Sequence, residues 1–168
     1  IRFGRGEYGI IDIFADEAAR DAHLEGPVPV ALEEQRTNLF DDDPHIQRLD
    51  VLADKFPIME TGRDTKGLLL RFKARAGHEQ DVEQFLVSAQ GMVMEEPNTT
   101  AWFAIRSETG EYGIFDVFPD NEARLLHLTG HVPRELTKHA FSLIGSMPGL
   151  ELVNVTAEKL RPIPMEGA

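Results

Sequence analysis

The chain has no cysteine and only one tryptophan among its 168 residues. Without cysteine, neither a disulfide nor a thiolate metal site can form. That suits a reducing compartment, so a cytoplasmic location is expected. No apolar run approaches the roughly 18 residues of a membrane-spanning helix. No signal-peptide pattern opens the sequence, although a start lost from a longer parent could have carried one. Positive charge is scarce, with 17 Lys and Arg against 29 Asp and Glu, a net charge of −12. Such a surface repels phosphate backbones and anionic lipid, so neither nucleic acid nor a membrane is an expected partner. There is no Gly-rich phosphate loop and no GxSxG nucleophile elbow, which speaks against nucleotide cofactors and serine hydrolysis.

What the chain does contain is a stretch that occurs twice. Ile1 to Leu32 and Ile105 to Leu136 align without a gap at a shift of 104, with 18 of 32 positions identical. The clearest pair is GEYGIIDIFADEAARDAHLEGPVP against GEYGIFDVFPDNEARLLHLTGHVP. A weaker match continues through Val51 and Val155 to Lys55 and Lys159. Two copies make an internal pair and not a solenoid, which needs more units. The second copy has about 40 residues ahead of Ile105 that the first lacks, and the chain has no starting Met. The expectation is an N-terminal truncation or processed form of a longer parent; the alternative is a natural half-repeat. If the chain starts at Ile1, the first sheet lacks two strands and a helix, and an edge is exposed. Either another chain completes it, as a homodimer or higher oligomer, or the missing residues were lost.

The complete copy predicts six elements. Gly67 to Ala74 is an apolar strand. His78 to Met94 is an amphipathic helix with Val82, Phe85, Leu86, Ala89, Met92 and Val93 on one face. Thr100 to Ser107 and Tyr112 to Phe118 form a hairpin. Asp120 caps a helix over 121–128, and a longer helix follows to about Ser146. Leu150 to Leu160 is the last strand. This β-α-β-β-α-β order is the split ferredoxin-like unit, an α+β fold. Its strands are apolar on both faces, so a second sheet is expected to cover the side away from the helices, closing a pseudo-dimeric α+β barrel. The first copy is expected to supply strand 7–14, helix 16–40 and strand 46–54. The domain boundaries are then 1–57, a linker over 58–66, the complete copy at 67–161, and a tail at 162–168.

The element order, the EEPNTTAWFAIR strand, the GIFDVFPDNEARLLHLTG segment and the closing AEKL strand resemble the antibiotic biosynthesis monooxygenase family. The resemblance covers Gly67 to Leu160 as a whole unit and Ile1 to Phe56 as half of one. It implies a dimeric α+β barrel. It also implies a cofactor-independent monooxygenase acting on a small aromatic quinol or phenol with dioxygen, needing no metal or cofactor. The family also includes haem-degrading enzymes, isomerases and proteins without known activity. Two rival readings therefore stand beside it: a non-catalytic barrel that binds a small hydrophobic ligand or serves assembly, and a haem-binding or haem-degrading barrel.

Cofactor-free oxygenation requires a dry aromatic pocket, a proton acceptor and donors for an oxyanion. The resemblance places Asn98 and Trp102, four residues apart, at the substrate carbonyl and oxygen intermediate. The alternative is that Trp102 is core and Asn98 only ends a helix after Pro97. The tyrosine that some family members carry just beyond the Trp is replaced here by Glu108 and Thr109. His127, repeated as His23, is the expected base because its free pKa lies near neutrality; a structural His is the alternative. Asp116, repeated as Asp12, lies mid-strand among apolar neighbours. It would orient His127 or bind a substrate hydroxyl, or pair with Arg106 or Arg124, and that structural pair is the favoured reading. Phe72, Phe103 and Phe118 are pocket walls or core. Tyr112 edges the pocket mouth or packs the hairpin. His127 and His131 have a metal-chelating spacing, but Gly130 and Pro133 argue against one continuous helix, so no metal is expected.

Overall fold

The computed structural model describes residues 1–57, 65–145 and 148–160, and within 131–143 it leaves aside the side chains of residues 131, 132, 136 and 139–141. Eleven elements run in chain order: α1 Glu17–Leu24, α2 Pro27–Glu34, α3 Arg36–Leu39, β1 Leu49–Lys55, β2 Lys66–Lys73, α4 Glu79–Met94, β3 Ala101–Ser107, β4 Glu111–Phe118, α5 Asn121–Leu128, α6 His131–Leu143 and β5 Gly149–Asn154. The expected linker falls mainly on residues outside this description, but Lys66 already opens β2. The expected tail lies outside it altogether.

From β2 to β5 the order is β-α-β-β-α-β, with two helices in the second helical position. The strands pair antiparallel in the order β1-β3-β4-β2-β5. The four strands from β2 onward are the ferredoxin-like sheet, and β1 adds a fifth strand at the β3 edge. Alternation sorts each strand onto two faces. On one face, Leu70 and Phe72 of β2, Trp102 and Ala104 of β3, and Tyr112 and Ile114 of β4 pack against Val82, Leu86, Ala89 and Val93 of α4. Those four helix positions recur at helical spacing and are all buried, while Phe85 and Met92 are partly so. On the other face, Phe103, Phe115 and Val117 are also buried, and Phe56 meets Phe103 edge to ring at 5.3 Å. Among the described residues there is a single five-stranded sheet, so the expected second sheet that would close a barrel over this face is not found.

Some positions related by the 104-residue shift share local features. Helix α1 spans the same copy positions as α5, shifted by 104 residues. Asp16 and Asp120 both cap their helices, accepting from the amides of Ala19 and Ala123 at 2.8 Å. Ring contacts Phe14–His23 and Phe118–His127 are both 5.1 Å between centroids. One cross-strand pair also occurs in both directions. Asp50 of β1 lies opposite Arg106 of β3, and Arg2 bridges Asn154 of β5. A shift of 104 turns one pair into the other.

Residues 10–47 form a separate compact unit holding α1, α2 and α3. The expected single helix over 16–40 is broken into these pieces. Gly26 and Pro27 start a new helix, because a proline cannot continue the preceding hydrogen-bond ladder. The expected strand over 7–14 is reduced to an isolated bridge between Tyr8 and Arg2. Among the described residues no neighbouring strand runs along 7–14, and a strand without a ladder leaves its amides to water. None of the three helices carries a buried residue.

Gly67 marks the tightest packing in β2. A Cβ there would sit 2.6 Å from a Val153 methyl and 3.1 Å from the Phe115 ring. Val153 is fully buried, so it has no room to retreat. Gly67→Ala is expected to cost about 2 kcal/mol through overpacking. Urea unfolding checks this; an unchanged midpoint would mean that β5 can shift to make room.

Candidate functional site

One row of residues crosses the sheet under the end of α4. Lys55 pairs with Trp102, Trp102 with Asp116, Asp116 with Leu68, and Leu68 with Leu152. All of them project to the helix side. Trp102 is inaccessible to solvent and Asp116 is 2% exposed. Above the row stand His127 from α5 and Glu96 and Thr99 from the turn that follows α4. Asp120 fixes the start of α5, and one register of that helix turns both Ala123 and His127 inward. Arg124 on the same helix donates to the backbone carbonyls of Gly67 and Val153 at 3.1 and 3.0 Å, tying α5 to β2 and β5.

His127 has a partner at each ring nitrogen. Its Nδ1 lies 2.8 Å from Glu96 Oε2, and its Nε2 lies 3.7 Å from Asp116 Oδ1. Thr99 Oγ1 donates to the same Glu96 oxygen at 2.8 Å. Two buried polar atoms beside this chain of groups have no hydrogen-bond partner, Trp102 Nε1 and Asp116 Oδ1. An orphan donor and an orphan acceptor on adjacent strands are costly to leave dry.

Burial and pairing act against each other on these groups. Complete burial pushes the Asp116 carboxyl up to about 7, opposed by the charge of His127 and reinforced by that of Glu96. Burial also pulls His127 down, but the Glu96 hydrogen bond and the two carboxylates outweigh it and hold the imidazole above its ordinary value. Burial pushes Glu96 up, and the bonds from His127 and Thr99 together with the charges of His127 and Lys55 outweigh that and lower it. The arrangement is an imidazole whose protonated form is favoured by one carboxylate and which faces a second carboxyl pushed up to about 7.

The sequence-based candidates divide accordingly. Trp102, Asp116 and His127 come together. Phe118 packs its ring on His127, and Phe72 and Tyr112 stack at 6.1 Å on the same face further along the sheet. Tyr112 Oη donates to Glu83 Oε1 at 3.0 Å, a contact to α4. Phe103 projects to the opposite face. Asn98 is exposed on the turn, outside the buried group. The expected pairing of Asp116 with an arginine gives way to His127: Arg106 instead clamps Glu83 and Asp50 at 2.7 and 2.8 Å, and Arg124 takes backbone carbonyls. The side chain of His131 lies outside the described residues, and no metal-binding cluster of three side chains occurs among those described. Sequence reasoning missed Glu96, Thr99 and Lys55. The recurrence of Lys55 as Lys159 was the available signal for one of them; Glu96 carried none beyond its place beside Pro97.

No family model matches the chain, and no curated protein does. A solved structure from Nitrosomonas europaea, a protein of unknown function, is 36% identical over 58% of this chain and 95% of its own, with a TM-score of 0.56. The chain belongs to the family of that Nitrosomonas protein. Two further structures share the fold at low identity. A candidate monooxygenase from Fusobacterium nucleatum is 11% identical, with a TM-score of 0.77 over 89% of this chain and 69% of its own. A candidate monooxygenase from Lactobacillus acidophilus is 13% identical, with a TM-score of 0.61 over 83% and 66%. The fold is thus one shared with proteins named as monooxygenases. Among the described residues no helix is long and apolar enough to cross a membrane.

Proposed function

We propose that this protein is a cofactor-independent monooxygenase of the antibiotic biosynthesis type, acting on a small electron-rich phenol or quinol with dioxygen. The observation that supports this most is the buried Glu96–His127–Asp116 row set against Trp102, with one donor and one acceptor unpartnered. In this reading the His127–Asp116 pair takes the phenolic proton, and the Trp102 indole N–H holds the oxygen that carries the resulting charge. The phenolate passes one electron to dioxygen, the radical pair joins as a ring peroxide anion, and this regains the proton from the His127–Asp116 pair to give a hydroperoxide. Loss of water cleaves the O–O bond and leaves one oxygen on the ring as a quinone. The substrate supplies every electron, so the protein supplies only proton transfer, desolvation and charge stabilisation. The two sequence copies suit a single-chain version of a two-subunit barrel, with the complete copy carrying this site.

A second reading, the non-catalytic ligand-binding barrel, draws support from burial: the His127 and Asp116 side chains are 5% and 2% exposed. Haem ligation fits less well, because Nδ1 is bound to Glu96 and Nε2 faces a carboxyl. Oxygen consumption by the metal-free protein with a panel of quinols and phenols separates these readings. Uptake that disappears in His127→Ala supports the oxygenase. Absence of uptake from the folded protein across the panel supports the binder, and a Soret band on haem titration would favour the haem protein.

A further inference from the structure

Lys55 neighbours Trp102 in the row, yet in sequence it belongs to the strand that precedes the complete copy. It is 6% exposed. Its Nζ donates to the carbonyl oxygens of Val93 at 2.8 Å and Glu96 at 2.6 Å. Val93 lies in the last turn of α4, and its carbonyl also accepts from the Glu96 amide at 3.0 Å, so Lys55 joins a carbonyl that already closes the turn. A lysine this buried ordinarily answers a carboxylate, and the nearby carboxylate is that of Glu96. We propose that Lys55 is a positioning residue of the candidate site, reaching across from the first copy to fix the turn that holds Glu96 against His127.

The residues between β2 and β5 are therefore not a complete site. The ammonium ties down the Glu96 backbone and sets a positive charge beside its side chain. The charged groups around Glu96 are Lys55 from β1, His127 from α5 and, beyond His127, Asp116 from β4; Thr99 adds a hydroxyl. Lys55 is one of the groups that keep Glu96 ionised. The inference rests on the geometry of the candidate site and not on its oxygen chemistry. Lys159, 104 residues further on, is the counterpart of Lys55 in the second copy.

The test is an NMR titration of the His127 imidazole in the full chain, with no substrate present. In the wild type, the acidic step of that titration reports protonation of Glu96. Lys55→Met is expected to raise this step by about half a pH unit or more, as loss of a nearby charge does. Lys55→Arg is expected to restore most of the shift. An unmoved acidic step in folded Lys55→Met overturns the proposal and leaves Lys55 a purely structural helix cap. If Lys55→Met does not fold, Lys55→Gln keeps a donor without the charge; the same upward step is expected, and its absence is equally decisive. No turnover is involved, so the titration can fail while the oxygen-uptake test succeeds, or the reverse.

Discussion

At pH 8, Asp116→Asn is expected to melt several degrees above the wild type while losing turnover at least 100-fold. Both effects have one cause. The carboxyl is completely buried, and its folded pKa stands near 7 against an ordinary 3.8. Below about pH 3.8 the acid is neutral in folded and unfolded chains, and it contributes nothing to pH dependence. As pH rises toward 7, the unfolded chain ionises freely while the folded one resists, so stability falls. Above 7 the folded protein carries the whole cost of the buried charge. Asparagine removes that cost, and a gain of about 2 kcal/mol, or roughly 4–8 °C, is expected at pH 8. The gain should fade toward pH 4. On the proposed oxygenase reading, turnover falls because asparagine has no proton-accepting oxygen at the orphan position beside Trp102. Melting curves across pH, set beside oxygen uptake, check both halves. A lower melting temperature at pH 8 would mean that the Asp116 charge is needed as a structural partner of His127, and the poised-carboxyl account would fall.

The second large effect concerns Glu96→Gln. Glu96 and His127 stabilise each other, and the direction of each shift fixes the window. The raised pKa of His127 gives stability that is complete below its ordinary 6.5 and is lost as pH rises through the folded value. The lowered pKa of Glu96 gives stability that is complete above its ordinary 4.5 and is lost as pH falls through the folded value. The pair is thus fully effective between pH 4.5 and 6.5. Removing one partner of a fully buried pair costs 3–5 kcal/mol, and partial exposure of Glu96 reduces the expectation to about 2 kcal/mol at pH 5.5. At a pH above the raised His127 pKa, where the imidazole is neutral, the loss from Glu96→Gln should be smaller. Denaturant unfolding at the two pH values tests this. An equal loss at both would show that Glu96 acts through its hydrogen bonds and shape alone. The same substitution removes the support that holds His127 charged, so the step of the pH–rate profile assigned to His127 should move down.

The two variants pull stability in opposite directions although their carboxylates flank one imidazole. Glu96 keeps some access to water, has a hydroxyl and an imidazole as hydrogen-bond partners, and lies beside Lys55. Asp116 has His127 at 3.7 Å and no hydrogen bond at Oδ1. One carboxyl is solvated by the protein and the other is starved. Separation of two acids by environment is how a site obtains both a fixed charge and a movable proton.

Much of this was legible in the chain before any coordinates. The repeat at 104, the order of strands and helices in the complete copy, the Asp120 cap and the apolar face of α4 all follow from local rules. Helical and strand periodicity, and the reach of a side chain to its own backbone, depend only on neighbours in sequence. Trp102, Asp116 and His127 stood out for the same reason: each is a polar or singular residue on an otherwise apolar stretch. Tertiary structure alone decided the rest. Which face of the sheet meets α4 put Trp102 and Asp116 in the same buried layer and Phe103 on the opposite face. The turn after α4 sent Asn98 outward and Glu96 and Thr99 inward, a choice made by a few backbone angles that no period records. Strand 7–14 is locally a good strand, but a strand also needs a partner. Lys55 reached the site because β1 pairs with β3 in a register set by the packing of residues some 50 positions apart. Periodicity fixes what a segment can form, whereas contacts between distant segments fix which atoms meet, and the acid–base character of the site arises from those meetings.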